Sequence, residues 1–155
     1  MKIRKADKED LREIANIFAR VYADFDVGEK WTNESAYKLM SYWFDRQSDL
    51  FFVAEIDNKL IGGFVSGIKP WWDGNHLVDG ELFVDPKYQK KGIGRELSKV
   101  MYTNAIKKYN IVSVEGITFR NKKFPLSWHK SIGFREIDEW VLIGGKPKSL
   151  LNNLK

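Results

Sequence analysis

Apolar residues recur at helical spacing along several stretches of the chain. Leu11, Ile14, Ala15, Phe18 and Val21 share one face, and Asp7 precedes Lys8-Glu9-Asp10 as an N-cap with acidic residues in the first turn. That pattern predicts a helix from about Lys8 to Ala23. Thr32 caps a second pattern through Ala36, Met40, Trp43 and Phe44. A third begins near Gly92 and runs through Leu97, Val100, Met101, Ala105 and Ile106, and a short fourth covers Leu126 to Ser131. Between them, apolar and β-branched runs predict strands over Lys2 to Lys5, Phe51 to Ile56, Leu60 to Ile68, Leu77 to Val84, Ile111 to Phe119 and Phe134 to Ile143. Asp57-Asn58-Lys59 is a hairpin turn, and Trp71 to Asn75 is a loop. Gly62-Gly63 inside a strand indicates a bulge or a close backbone approach. The order βααβββαβαβ predicts an α+β fold, a mixed sheet with helices packed on it.

The 155 residues show no shift in composition, so one domain over residues 1–145 with a loosely held tail over 146–155 is expected. Hydrophobic residues at 43% are enough for one core. There is no cysteine, which excludes disulfides, zinc–thiolate sites and a catalytic thiol. The opening Met1-Lys2-Ile3-Arg4-Lys5 has no apolar segment of the secretory kind, and runs such as Leu50 to Ala54 are too short to span a bilayer. A cytoplasmic protein without membrane attachment is the expectation. The net charge of +5 is mild, and its distribution says more. Lys87, Lys90, Lys91, Arg95 and Lys99 surround Gly92 and Gly94, whereas Asp24, Asp26, Glu29 and Glu34 cluster between Val21 and Glu34. A nucleic-acid binder would spread basic charge along a face with exposed aromatics. A basic spot around glycines suits a phosphate instead.

The segment Leu82 to Leu97 carries that chemistry. A strand runs through Asp85-Pro86 into the basic loop Gln89-Lys90-Lys91-Gly92-Ile93-Gly94-Arg95 and then into a helix. Glycines let backbone N–H groups approach an anion, and a helix N-terminus aims its dipole at the same point. A Walker loop would need Gly-Lys-Ser/Thr where Gly94-Arg95-Glu96 stands, and a dinucleotide fold would need a third spaced glycine.

The Gln89-Lys90-Lys91-Gly92-Ile93-Gly94 loop resembles the Gln/Arg-x-x-Gly-x-Gly/Ala pyrophosphate loop of the GNAT acetyltransferases. Asn121 and the run Trp128-His129-Lys130-Ser131-Ile132-Gly133-Phe134 resemble that family's later Asn and Tyr-x-x-x-Gly-Phe ending, with Asn121 and His129 spaced one residue wider. The resemblance implies a splayed, mixed sheet with helices on both faces and acetyl-CoA as cosubstrate, with no metal. It implies that Gln89, Lys90, Lys91, Gly92, Ile93, Gly94 and Arg95 hold the pyrophosphate, that Leu82, Phe83 and Val84 pair with the pantetheine arm like an added strand, and that Asn121 contributes to the same site.

Transfer to an amine requires that amine to be neutral, so a base helps, and the departing thiolate benefits from a proton donor. His129 falls where most members of the family carry a Tyr acid. Glu81 and Glu115 are carboxylates within apolar runs, where burial raises a pKa, and Asp79 is a third candidate base. The resemblance places bases on the strand parity of Val78 and Gly80, which carry no ionisable group, so Glu81 needs a bulge to reach the active face. Trp31, Trp43, Trp71 and Trp72 are candidates to line an acceptor groove, with Asp24, Asp26, Glu29, Glu34 and Asp73 attracting a cation. The expectation is an N-acetyltransferase acting by direct transfer on a cationic primary amine, as a monomer or homodimer, without nucleic acid. The alternative is a CoA-binding sensor or interaction domain that has lost catalysis.

Overall fold

The computed structural model describes residues 1–25 and 27–154. The chain forms two compact units, Met1–Ile117 and Thr118–Lys155. In the first, β1 (Lys2–Lys5) leads through a 3-10 turn at Lys8–Asp10 into α1 (Leu11–Phe25), and α2 (Asn33–Gln47) follows. Both starts are capped as expected. The Asp10 carboxylate accepts the Asp7 N–H at 2.8 Å, and Thr32 Oγ1 accepts the Ser35 N–H at 3.1 Å. Then come β2 (Phe51–Ile56), β3 (Lys59–Trp71), β4 (Gly74–Val84), α3 (Ile93–Tyr109) and β5 (Ile111–Val114). The strands lie in the order β1-β2-β3-β4-β5, antiparallel throughout except for the parallel β4–β5 pair.

The sheet is covered on both faces. Ile14 and Phe18 of α1 and Met40 of α2 pack on Phe51, Val53, Val65 and Phe83. Leu97, Met101 and Ala105 of α3 pack on Phe52, Ala54, Ile61, Phe64 and Leu77 on the other. The alternation of these strand residues between the two groups is the period-two pattern of a doubly covered sheet. Gly62 shows the close approach anticipated from its sequence: a Cβ there would stand 2.6 Å from the Phe83 carbonyl oxygen. A bulge accompanies it, because β3 spends Leu60, Ile61 and Gly62 against only Glu55 and Ala54 of β2.

Two departures shape β4. Trp71 pairs with Gly74, so the expected five-residue loop tightens to a hairpin turn at Trp72-Asp73. Val65 pairs with Glu81 but Gly67 pairs with Val78, which leaves Asp79 and Gly80 opposite Ser66. That is a bulge, with Asp79 in the left-handed region at φ 54°. Ser66 Oγ closes it by donating to the Val78 carbonyl at 2.8 Å.

The strand expected over Ile111 to Phe119 ends at Val114. It pairs with β4 only from Asn75 to Leu77, so β5 leaves β4 and, among the described residues, the edge from Val78 to Val84 has no partner in the sheet. This is the splay implied by the family resemblance.

In the second unit, α4 spans Lys123–Ser131 and α5 spans Pro147–Asn153. The strand expected over Phe134 to Ile143 does not form. An apolar, β-branched run supplies strand propensity but not a ladder, and no described strand pairs with this stretch; Trp140, Val141, Leu142 and Ile143 are 68 to 84% exposed. The tail over 146–155 contains the exposed helix α5.

Candidate active site

The basic loop begins where β4 ends. Asp85 anchors it: its amide donates to the Ile61 carbonyl at 2.8 Å, and its carboxylate accepts the Lys87 amide at 3.0 Å and the Arg20 guanidinium at 2.7 Å. Burial opposes its charge, but these donors outweigh burial and hold Asp85 below the usual carboxylate range. Gln89 Nε2 donates to the Val84 carbonyl at 2.9 Å and folds the loop back on its strand. Lys90 and Gly92 take left-handed conformations at φ 61° and 80°. Gly92 then serves as the N-cap of α3, with no side-chain cap.

The first intrahelical bond runs from the Glu96 amide to the Gly92 carbonyl, so the amides of Ile93, Gly94 and Arg95 precede the hydrogen-bonded ladder. The exposed side chains of Lys90, Lys91 and Arg95 flank this end. Gly94 has open space around it, since a Cβ there would come no nearer than 3.9 Å to any neighbour, Leu82 Cδ2 being the first it meets. Uncapped amides, open glycines and three cations fit a pyrophosphate.

Leu82, Phe83 and Val84 occupy the last rungs of β4. Phe83 turns into the core under α1, while Leu82 and Val84 pack toward α3. Their backbone on the β5 side carries no strand partner among the described residues, which leaves it able to pair with an extended ligand.

The bulge decides where Glu81 points. Directly paired residues share a face, and Glu81 pairs with Val65, which packs under α1 and α2. Val78 pairs with Gly67, whose Cβ would meet Trp43 of α2, so Val78 and Glu81 share that face despite their opposite parity. Gly80 instead lies against the Phe64 ring on the α3 side. The bulge that Glu81 needs is therefore present. Its carboxylate accepts a hydrogen bond from the Tyr22 hydroxyl at 3.3 Å. Burial pushes the Glu81 pKa up to about 7; the Tyr22 hydroxyl partly offsets this, and the negative charges of Glu29 and Asp79 add to it. Burial also raises the Tyr22 pKa, with the charges of Glu81 and Glu29 adding to the effect. Tyr22 lies 6.0 Å from the Trp31 ring, and Trp31 Nε1 donates to Glu29 at 2.6 Å. Rings and carboxylates thus stand together on the α1 side.

Glu115 has a different environment. It follows β5, its amide donates to the Leu77 carbonyl at 2.9 Å, and its carboxylate is hydrogen-bonded to His76. Asp79 is exposed at the bulge.

The profile of the Acetyltransferase (GNAT) family matches residues 10–122, which spans β2 to β5, the loop and α3. The chain belongs to the GNAT acetyltransferase family. It is 27% identical over 138 residues to an uncharacterized N-acetyltransferase of Methanocaldococcus jannaschii, covering 86% of this chain and 60% of that protein's length. It is 28% identical over 152 residues to the L-amino acid N-acyltransferase of Escherichia coli, covering 94% of this chain and 86% of that one. The fold matches a predicted acetyltransferase of Clostridium acetobutylicum, solved with acetyl-CoA, at a TM-score of 0.70 and 21% identity over 92% and 95% of the two chains.

Two of the GNAT-derived site residues, Asn121 and His129, fall in the second unit. Asn121 lies exposed in a turn before α4. His129, half-buried on α4, sits between the rings of Trp128 and Phe134 at 5.1 and 5.3 Å. Its Nδ1 is 3.0 Å from the Pro125 carbonyl, so Nδ1 carries the donated hydrogen and Nε2 is left for other partners. Of the acceptor-groove candidates, Trp31 and Glu29 join Glu81, Trp43 is buried under the sheet, and Trp72 is 87% exposed at the hairpin turn. Asp26 lies outside the described residues. Sequence reasoning does not reach Tyr22, Arg20 or His76 as site residues. Tyr22 is one turn beyond Phe18 on the apolar face of α1, a spacing that signals packing and gives no hint of a carboxylate partner.

Proposed function

We propose that this GNAT protein is an N-acetyltransferase that moves the acetyl group of acetyl-CoA directly to the primary amine of a cationic acceptor. The observation that carries this is β4 itself: one strand has an unpaired edge, carries Glu81 on its bulge, and runs into the uncapped start of α3. The loop from Gln89 to Arg95 holds the pyrophosphate, and the backbone of Leu82 to Val84 aligns the pantetheine arm. Glu81, with a pKa near 7, takes the proton from the attacking ammonium, directly or through water. The neutral amine nitrogen then bonds to the thioester carbonyl carbon and releases its second proton to water, the C–S bond breaks, and CoA leaves as a thiolate. The family resemblance makes His129 the proposed donor of a proton to that sulfur. The chain has no cysteine, so no acyl-thioester enzyme forms.

The acidic surroundings of Glu81 favour a cation. The charges that act on it come from Glu29 and Asp79. An acceptor bearing a free carboxylate beside its amine meets repulsion there, in contrast to what the name of the Escherichia coli relative indicates for that enzyme. Incubation with acetyl-CoA and a panel of monoamines, diamines, amino acids and amino-terminal peptides, read by mass spectrometry, tests the proposal. Acetylated cationic amines are expected, with amino acids poorest. Tight binding of acetyl-CoA with no acetylated product across the panel would favour a sensor.

A further inference from the structure

His76 is a buried histidine in a half-exposed hairpin, 6% exposed, with a carboxylate at each ring nitrogen. Nδ1 meets Glu115 and Nε2 meets Asp73 at 2.8 Å. A neutral imidazole carries one N–H and can donate to only one of them. Satisfying both carboxylates therefore requires the imidazolium. Asp73 comes from the hairpin turn and Glu115 from the residue after β5, so the ring ties the start of β4 to the last rung of β5. A further charged neighbour is Lys69, paired with His76 from β3, and its ammonium rests on the Trp71 ring at 3.9 Å. Burial works against charge on the ring, but the two carboxylates outweigh it and hold the His76 pKa above the usual imidazole value.

The location gives the contact its meaning. His76 and Leu77 are the last β4 residues that β5 pairs with, and the Glu115 amide caps that pairing on the Leu77 carbonyl. Beyond them the edge opens. His76, Val78 and, through the bulge, Glu81 follow one another on the same sheet face.

We propose that His76 is a positioning residue that clamps β5 to β4 through Asp73 and Glu115, and so sets the apex of the cleft in which the thioester lies beside Glu81. This rests on the β4 edge being the acetyl-CoA site. The clamp holds while the ring is charged and releases as pH rises through its folded-state pKa, because deprotonation leaves one carboxylate without a donor.

The two histidines of the chain make the test direct, because an imidazole ¹⁵N spectrum contains only His76 and His129. The signal lost in His76→Gln should show both ring nitrogens protonated at pH 7, and Asp73→Asn should lower its titration midpoint. Protection of the Glu115 amide should fall about tenfold or more in His76→Gln at pH 7, and the change in that protection with pH, once intrinsic base-catalysed exchange is divided out, should disappear in the variant. In the enzyme assay, kcat should fall about ten- to a hundredfold from a misplaced thioester while CoA affinity stays within about twofold. A neutral His76 ring at pH 7, or unchanged protection at Glu115, overturns the clamp. If His76→Gln does not fold, Asp73→Asn at the half-exposed turn decides it by the same exchange measurement. Failure of the wild-type protein to bind acetyl-CoA would strike the proposed function instead, and the spectroscopic and exchange results would still judge the clamp.

Discussion

Glu81 lies on β4 and Glu115 directly after β5, and their surroundings give the two carboxylates opposite chemistry. Glu115 faces an imidazole whose second nitrogen is also engaged, so its charge is neutralised where it stands. Glu81 faces a phenol, a buried wall and two further carboxylates, and its pKa rises to about 7. An apolar run around a carboxylate does not by itself make a base. What matters is whether the fold supplies a cation, and here it supplies one to Glu115 and withholds one from Glu81.

The largest effect expected is at the loop that serves this pair. Gly94→Asp adds a carboxylate where three cations and the first-turn amides of α3 converge, and the site has room for the side chain. The variant should fold with an unchanged melting temperature and lose acetyl-CoA affinity by about a hundredfold or more, measured by calorimetry. Near-native affinity would separate the loop from the cofactor.

Next in size is Glu81→Gln. Removing a general base costs about 10²–10⁴-fold in kcat, and the rise of rate with pH near 7 should vanish. Glu115→Gln should leave that rise in place even where the clamp slows the reaction. A Glu115→Gln enzyme that lost the limb near 7 while Glu81→Gln kept it would invert the comparison.

Stability should show the same contrast. A carboxylate whose folded pKa lies above its unfolded value favours the folded state at acid pH, and this contribution is lost as pH rises from the ordinary carboxylate range through about 7. Glu81→Gln should therefore be more stable than wild type at pH 8, by about 1–3 kcal/mol in urea titrations, and should lose that advantage near pH 4. The smallest effect belongs to Tyr22→Phe. Its hydroxyl stabilises the charged carboxylate, so its loss should move the pH–rate limb upward by about half a unit to one unit.

The turn and helix start from Gln89 to Arg95 were legible because they are written in consecutive residues: glycines, cations and the apolar pattern of α3. The capped starts at Asp7 and Thr32 were legible for the same reason. The face of Glu81 was not. It depends on Asp79 adopting a left-handed conformation opposite Ser66, and strand parity says nothing of a bulge. Nor was the fate of Phe134 to Ile143 legible, since its apolar run has strand propensity and the pairing depends on an edge elsewhere. Tyr22 and His76 were hidden because each acquires its role from a carboxylate dozens of residues away.

The central claim is that Glu81 is a carboxyl group near pH 7, ready to take a proton. Carboxyl-¹³C glutamate labelling with a pH titration of wild type and Glu81→Gln reads this without knowledge of the acceptor. One glutamate resonance, absent from the variant, should titrate near pH 7. A Glu81 resonance titrating in the ordinary carboxylate range would contradict the account.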